Sequence, residues 1–417
     1  MARQIQLAYG RHGLSIEVPD DAVIVSGREL PGLLDAQAIV ANALISPLES
    51  PPLGRLARSK KRPVVVFPDQ TRPMPHRVVL LPILSTLEDA GLKPEQIRLL
   101  CATGTHRAPT STELEEMLGV DITKRYAVVS HDCRRSRHID VGTVAGVRVE
   151  INAEFVESDL RIVTGFVEPH VFAGFSGGPK AVCPGLASMD TILEAHSPSR
   201  IASPDATWLR ALGNPVHDFI RSAVQLCPPS FSVDLTLNSA KEVGALFVGS
   251  LWASHEAAMR FVRDFALHRV AGRFGSVITT NGGYPLDRNF YQCVKGLSAA
   301  NRVADIGGTI VLAAECVDGL PLEGEFAQIL AESRSVADLN NRDSLPRHDY
   351  WSAQVLGRIL ADNSVLVHTD GLSDLDLNVA KVGRIVDLQS YIDRCARSGQ
   401  RICVIPQGPL TVPTADE

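Results

Sequence analysis

The side chains best suited to chemistry sit in short polar clusters, each directly behind an apolar run. Val64–Phe67 leads into Pro68-Asp69-Gln70-Thr71-Arg72-Pro73, and Leu99–Ala102 into Thr103-Gly104-Thr105-His106-Arg107. Ile162-Val163 leads into Gly165-Phe166-Val167-Glu168-Pro169-His170, and Val277–Thr280 into Asn281-Gly282-Gly283-Tyr284-Pro285. Neutral imidazole is a base near neutral pH and a ligand for nickel or zinc, which singles out His106, His170 and His196 in or near the glycine-rich stretches. Arg72 is either a fork for a carboxylate or an ordinary surface guanidinium. Lys180, just past Gly177-Gly178-Pro179, suits a phosphate counter-charge, an amine nucleophile or a solvated lysine. Gln292 and Lys295, spaced i and i+3, share one helical face, as a carboxylate site or a solvated surface would have them. Glycines at 103–105, 174–178 and 281–283 let backbone amides approach an anion, or simply make tight turns. None of them fits the dinucleotide GxGxxG or the P-loop pattern, and the chain has no HExxH or HxH pair. The other histidines, at 12, 76, 131, 138, 217, 255, 268, 348 and 368, read as structural.

Elements that position these clusters follow from alternation. Short aliphatic runs at Pro63–Phe67, Ile97–Ala102, Tyr126–Ser130, Leu160–Thr164, Val277–Thr280, Ile310–Ala314, Val365–His368 and Ile402–Ile405 read as strands. Helical periods cover Val78–Ala90, Thr112–Leu118 behind a Thr110-x-x-Glu113 capping box, Pro215–Gln225, His255–Leu267, Asp287–Ala299, Tyr350–Leu360 and Leu388–Arg397. The order predicts an α/β fold with largely parallel sheets, in which loops beyond the carboxyl ends of strands can converge on a ligand. At 417 residues, two domains are expected. A long helical segment from His255 to Gly275 is the natural connector, giving an N-terminal domain over 1–268 and a C-terminal one over 269–399. The segment 400–417 can return to either, with Pro406 to Glu417 read as a weakly ordered tail.

A net charge of −6 gives no reason to expect nucleic acid as a partner. No apolar run is long enough to span a bilayer, and Ile5, Leu7 and Tyr9 alternate as an edge strand does rather than as a signal peptide, so a cytoplasmic protein without a membrane partner is expected. The eight cysteines form no CxxC pair and read as buried, reduced thiols.

Taken together, PDQTRP at 68–73, ATGTHR at 102–107, GFVEPHVFAGFSGGPK at 165–180, the His196 segment and TTNGGYPLDRNFYQCVKG at 279–296 closely resemble the lactate racemase family that uses a nickel-pincer nucleotide. The resemblance implies two α/β domains with the active site in the cleft between them. It also implies a pyridinium-3,5-bisthiocarboxylic acid mononucleotide whose sulfur and carbon atoms hold nickel. By that resemblance Lys180 matches a lysine that forms a thioamide with the cofactor, His196 the protein's nickel ligand, and His106 and His170 the acid/base pair. Arg72, Gln292, Lys295, Tyr291 and Trp351 match residues near the substrate. Asp69 matches a residue of the cofactor site, to which Gly104, Ser176, Gly177, Gly178, Asn281 and Gly282 are also assigned. Pro179 departs from the family, which often has a basic residue there. The activity implied is racemisation or epimerisation of a small 2-hydroxy acid through a 2-keto acid, on protein matured by cofactor-assembly enzymes.

Two other readings fit the residues. A nicotinamide-type dehydrogenase or a nickel-free epimerase would use the same glycine loops and histidines, although GxGxxG with a following acidic residue is missing. A non-catalytic nucleotide-binding regulator would leave three histidines, Arg72 and Lys295 without a purpose.

Overall fold

The computed structural model describes residues 2–238, 240–321 and 324–416. They form two compact units: a first unit of Glu29–Ala195 with Leu209–Arg263, and a second of Met1–Arg28, His196–Trp208 and Asp264–Glu417.

The first unit is built on a six-stranded sheet in the order Val243–Gly249, Phe231–Leu237, Leu160–Phe166, Pro63–Pro68, Arg98–Ala102, Ala127–Ser130. All neighbours are parallel except the edge strand Val243–Gly249. Val64, Val65, Val66 and Phe67 are wholly buried, because a central parallel strand is covered on both faces. Helix His76–Asp89 lays Val79, Leu80, Ile83 and Leu87 into the same core as Phe67, Leu99, Ile162 and Phe231. Parallel pairing of Pro68 with Ala102 and of Val66 with Val163 brings three of the four polar clusters out at the carboxyl ends of neighbouring central strands.

The second unit carries a wholly parallel sheet in the order Gly383–Arg384, Ser364–His368, Ala304–Ala313, Phe274–Thr280, Ile402–Ile405, Val23–Ile24. The fourth polar cluster, from Asn281, ends a strand of this sheet.

This partition differs from a boundary at 268/269. Val23 and Val404 explain why the N-terminus joins the second unit, since the Val23–Ile24 strand pairs with Cys403 and Val404. Residues 196–208 join it through Gln354 Nε2 donating to the Pro198 carbonyl (2.9 Å), Arg358 to that of Ile201 (2.9 Å) and Trp208 Nε1 to Ser298 Oγ (3.0 Å). The connector is also not helical throughout: the helix Leu251–Ala266 gives way to a strand, Leu267–Ala271. That strand finds its partner in the supposed tail, whose Val412–Asp416 runs parallel to it, so the tail is ordered by a backbone ladder that its prolines did not advertise. Glu417 lies outside the described residues. The N-terminal Ala2–Leu7 strand pairs with Leu14–Pro19 in a two-stranded hairpin.

Candidate active site

At the end of Pro63–Pro68, Asp69 is almost completely buried, and its carboxyl is fully engaged. Oδ1 accepts from Thr71 N (2.9 Å) and Thr71 Oγ1 (2.6 Å), and Oδ2 lies 2.8 Å from His106 Nδ1. A carboxylate only accepts, so Nδ1 of His106 carries the proton it shares and Nε2 keeps its lone pair. Burial would push the Asp69 carboxyl up, but the hydrogen bond and charge of His106, with Arg72 and Thr71, outweigh it and hold the group below the ordinary carboxyl range. Arg72 reaches Thr71 Oγ1 at 3.3 Å and opens on a groove of about 360 Å³ that Gln70, Met74, His76 and Arg77 also line.

His170 sits in a two-residue ladder, Pro169-His170 against Gly174-Phe175, and is held by a different kind of partner. The Ala173 N–H donates to its Nδ1 at 3.3 Å, so the neutral ring carries its proton on Nε2. The Phe172 ring meets it edge-on, 4.6 Å between centroids. Ser176 turns inward: its Oγ donates to the Phe166 carbonyl (2.8 Å) and accepts from Glu168 N (2.9 Å). Gly177 and Gly178 have φ of 71° and 48°, and lead into the single turn Gly178–Ala181 that carries Lys180. Pro179 opens that turn, where its missing N–H costs no helical bond. Gly104 has φ 56°, and its N–H donates to the Gly185 carbonyl at 3.0 Å, which ties the loop after Arg98–Ala102 to the turn beyond Lys180.

The second unit collects the remaining candidates. The largely buried His196 ring packs on Trp351 at 4.9 Å, and Trp351 Nε1 donates to Tyr291 Oη at 3.0 Å. Burial, with the charge of Asp349 nearby, pushes the Tyr291 phenol upward, so it stays protonated. Next to it on helix Phe290–Asn301, Lys295 Nζ donates to Gln292 Oε1 at 2.9 Å, as the i,i+3 spacing predicted. Asn281 is more structural than expected: its amide nitrogen bonds the Leu286 carbonyl and its Oδ1 takes the Gly296 N–H (3.0 Å). Gly282 has φ 84°.

Sequence reasoning passed over His348, whose ring lies 5.7 Å from Trp351. It also set aside His217 and His255, which stack at 6.2 Å beneath the glycine loop. A lone histidine with no glycine run beside it carried no signal. The eight cysteines are free and buried, as read. No helix among the described residues is long and apolar enough to cross a membrane.

Among the described residues no group of three or more His, Cys, Asp or Glu is placed to hold a metal ion.

Residues 9–208 match the family model for the lactate racemase N-terminal domain, and residues 273–412 that for its C-terminal domain. The chain is 34% identical, over 97% of both chains, to a lactate racemase of Thermoanaerobacterium thermosaccharolyticum. It is 32% identical to that of Lactiplantibacillus plantarum, over 97% of this chain and 98% of the other. The apoprotein structure of the Thermoanaerobacterium thermosaccharolyticum lactate racemase superposes with a TM-score of 0.91 at 33% identity over the whole of both chains. A Thermotoga maritima protein at 18% identity and TM-score 0.69 shares the fold. The chain belongs to the lactate racemase family, and its function is that of a lactate racemase-like isomerase.

Proposed function

We propose that this chain interconverts the enantiomers of a small 2-hydroxy acid such as lactate by removing and returning hydride at C2, with His106 and His170 handling the hydroxyl proton. The observation that carries the reading is the buried Asp69 carboxyl holding His106 by Nδ1 at the same end of the sheet as His170 and the glycine loop of Lys180.

The residues fit a nickel-pincer nucleotide. Lys180 follows a pair of positive-φ glycines, and His196 offers one buried imidazole as a single protein ligand. In this reading Lys180 and the loops at Gly104, Ser176–Gly178 and Gly282 hold the nucleotide, and His196 supplies the protein's ligand to nickel. Bound there, such a group supplies a reversible acceptor for hydride.

The chain's own work is proton transfer and orientation. His106 Nε2, with its lone pair set outward by the Asp69 bond, takes the hydroxyl proton from one enantiomer, and Asp69 stabilises the imidazolium that results. When hydride comes back to the other face of the planar 2-keto acid, His170 in its imidazolium form returns a proton to the oxygen through Nε2 and becomes neutral. Arg72, Gln292 and Lys295 would engage the carboxylate, and Trp351 and Tyr291 would border the substituent. The protein works in the cytoplasm and is matured by cofactor-assembly enzymes.

The test is chiral chromatography of D- and L-2-hydroxy acids incubated with protein produced alongside the assembly enzymes, which should contain about one nickel per chain. Racemisation of 2-deuterated lactate should keep the label at C2. Early loss of that label to water would replace hydride transfer by a carbanion route.

A further inference from the structure

Asp234 is an unusual residue to find where it lies. It sits wholly buried in the strand Phe231–Leu237, whose other core positions are Phe231, Val233 and Leu235. A buried carboxyl costs more than an apolar residue of its size unless its oxygens are satisfied. Here Oδ2 accepts from Ser232 Oγ (2.6 Å) and Ser254 Oγ (2.7 Å), and Oδ1 accepts from the Gly178 backbone N–H at 2.9 Å. The serines complete the carboxyl's hydrogen bonding; the amide of Gly178 is what it acts upon.

His255, also wholly buried, acts on the same loop from the helix Leu251–Ala266. Its Nε2 donates to the Ser176 carbonyl at 2.9 Å, and its ring occupies the space a Cβ on Gly178 would need. The two side chains therefore pin the two peptide groups that flank Gly177 (φ 71°), and Gly178 (φ 48°) follows directly. The next turn follows from that geometry: Lys180 N donates to the Gly177 carbonyl and the Lys180 carbonyl accepts from Gly185 N, both at 3.0 Å. Lys180 Nζ then lies 5.9 Å from the centroid of the Phe172 ring.

We propose that Asp234 and His255 are positioning residues for Lys180, fixing the Ser176–Gly178 backbone so that the lysine amine meets the cofactor. The assignment rests on the reading of Lys180 as the cofactor lysine. It does not make either residue catalytic.

The experiment uses four variants of the full chain, Asp234→Ala, Asp234→Asn, His255→Ala and His255→Gln. Asparagine keeps an acceptor for Gly178, and glutamine keeps a donor for Ser176. Each is made with the assembly enzymes and read for nickel content and for the mass adduct at Lys180. Each is also made without them and read for the rate at which acetic anhydride labels Lys180, with exposed Lys124 as the internal reference.

The alanine variants should lose nickel and adduct about tenfold or more, and the asparagine and glutamine variants should keep most of both. Lys180 labelling should shift about fivefold in the alanine variants, the population change a lost buried hydrogen bond produces, with Lys124 unmoved. Alanine variants that load fully and label Lys180 at the wild-type rate would overturn the proposal. So would a rise at Lys124 as large as that at Lys180, which marks general loosening. If wild-type protein carries neither nickel nor adduct while the alanine variants still shift Lys180 labelling, the cofactor reading falls and the positioning role stands.

Discussion

His106 and His170 leave the same end of the sheet, yet the structure holds them by opposite chemistry. His106 shares its Nδ1 proton with a buried carboxyl 2.8 Å away, whereas His170 accepts a backbone N–H at 3.3 Å on the same ring atom. The first arrangement holds the proton of His106 on Nδ1 and leaves Nε2 as a proton acceptor, and the second places the proton of the neutral His170 ring on Nε2. The two rings therefore rest in different tautomers, and each gives up a proton only from its imidazolium form. The lesson is that two residues of one type, at equivalent places, are distinguished by what stands behind them.

The largest expected effect breaks the pair outright. His106→Ala and His170→Ala should each lower net racemisation by about 10³-fold, in the middle of the range for a general acid or base. Chiral chromatography of D- and L-lactate reactions reads this directly, and near-native activity in either variant would defeat the two-histidine scheme.

Asp69→Asn should come next, with a loss of about 10²-fold. The amide is isosteric but can donate to Nδ1, which moves the His106 proton to Nε2 and removes the acceptor. The variant should also change acid stability. Asp69 has a folded value below its unfolded one, so its contribution is present above the ordinary carboxyl range and is lost as the pH falls through the lower folded value. Acid titration of the apoprotein should show a shallower loss in Asp69→Asn than in wild type. Phe172→Leu, which removes the ring edge beside His170 and the ring face 5.9 Å from Lys180 Nζ, should cost about threefold to tenfold in turnover, the worth of one aromatic pair.

Much of this asymmetry was legible in part. Asp69 and His106 both follow strands, and their loops are neighbours because Pro68 pairs with Ala102, so strand order alone predicts their approach. That the Asp69 carboxyl would be consumed by His106 and Thr71 was not legible, since a loop aspartate has many partners within reach. The wholly apolar strands Pro63–Pro68 and Ile402–Ile405 and the Thr110–Glu113 capping box stood out because local chemistry decides them. The strand Val412–Asp416 did not, because its partner Leu267–Ala271 lies about 145 positions away and only tertiary packing selects it. Asp234 did leave a trace: Ser232 and Asp234 are polar residues two apart in FSVDLTL, the period of a strand face, among residues that otherwise read as core.

His76 extends the comparison to an imidazole that neither a carboxylate nor an amide satisfies. Both of its ring nitrogens are buried without a hydrogen-bond partner, and its ring meets Phe67 edge-on at 5.6 Å. Burial, opposed only by the Asp69 charge, lowers its pKa to about 4. Above the ordinary histidine range both folded and unfolded forms are neutral, and nothing is lost. Between pH 6.5 and about 4 the unfolded chain binds a proton that the folded one refuses, so stability falls as the pH falls, by about 3 kcal/mol at the lower end. His76→Phe has no proton to bind and leaves no nitrogen unsatisfied, so it should be at least as stable as wild type near pH 7.5 and its advantage should grow by about 2.5 kcal/mol on going to pH 4.5. His131 and His217, also lowered to about 4 by burial, share that window, so the variant keeps most of the acid sensitivity and loses only its own part. Urea midpoints of the two apoproteins across that range measure the difference. Parallel curves would mean that His76 takes up its proton in the folded state after all, by finding a partner that Asp69 and Phe67 do not provide.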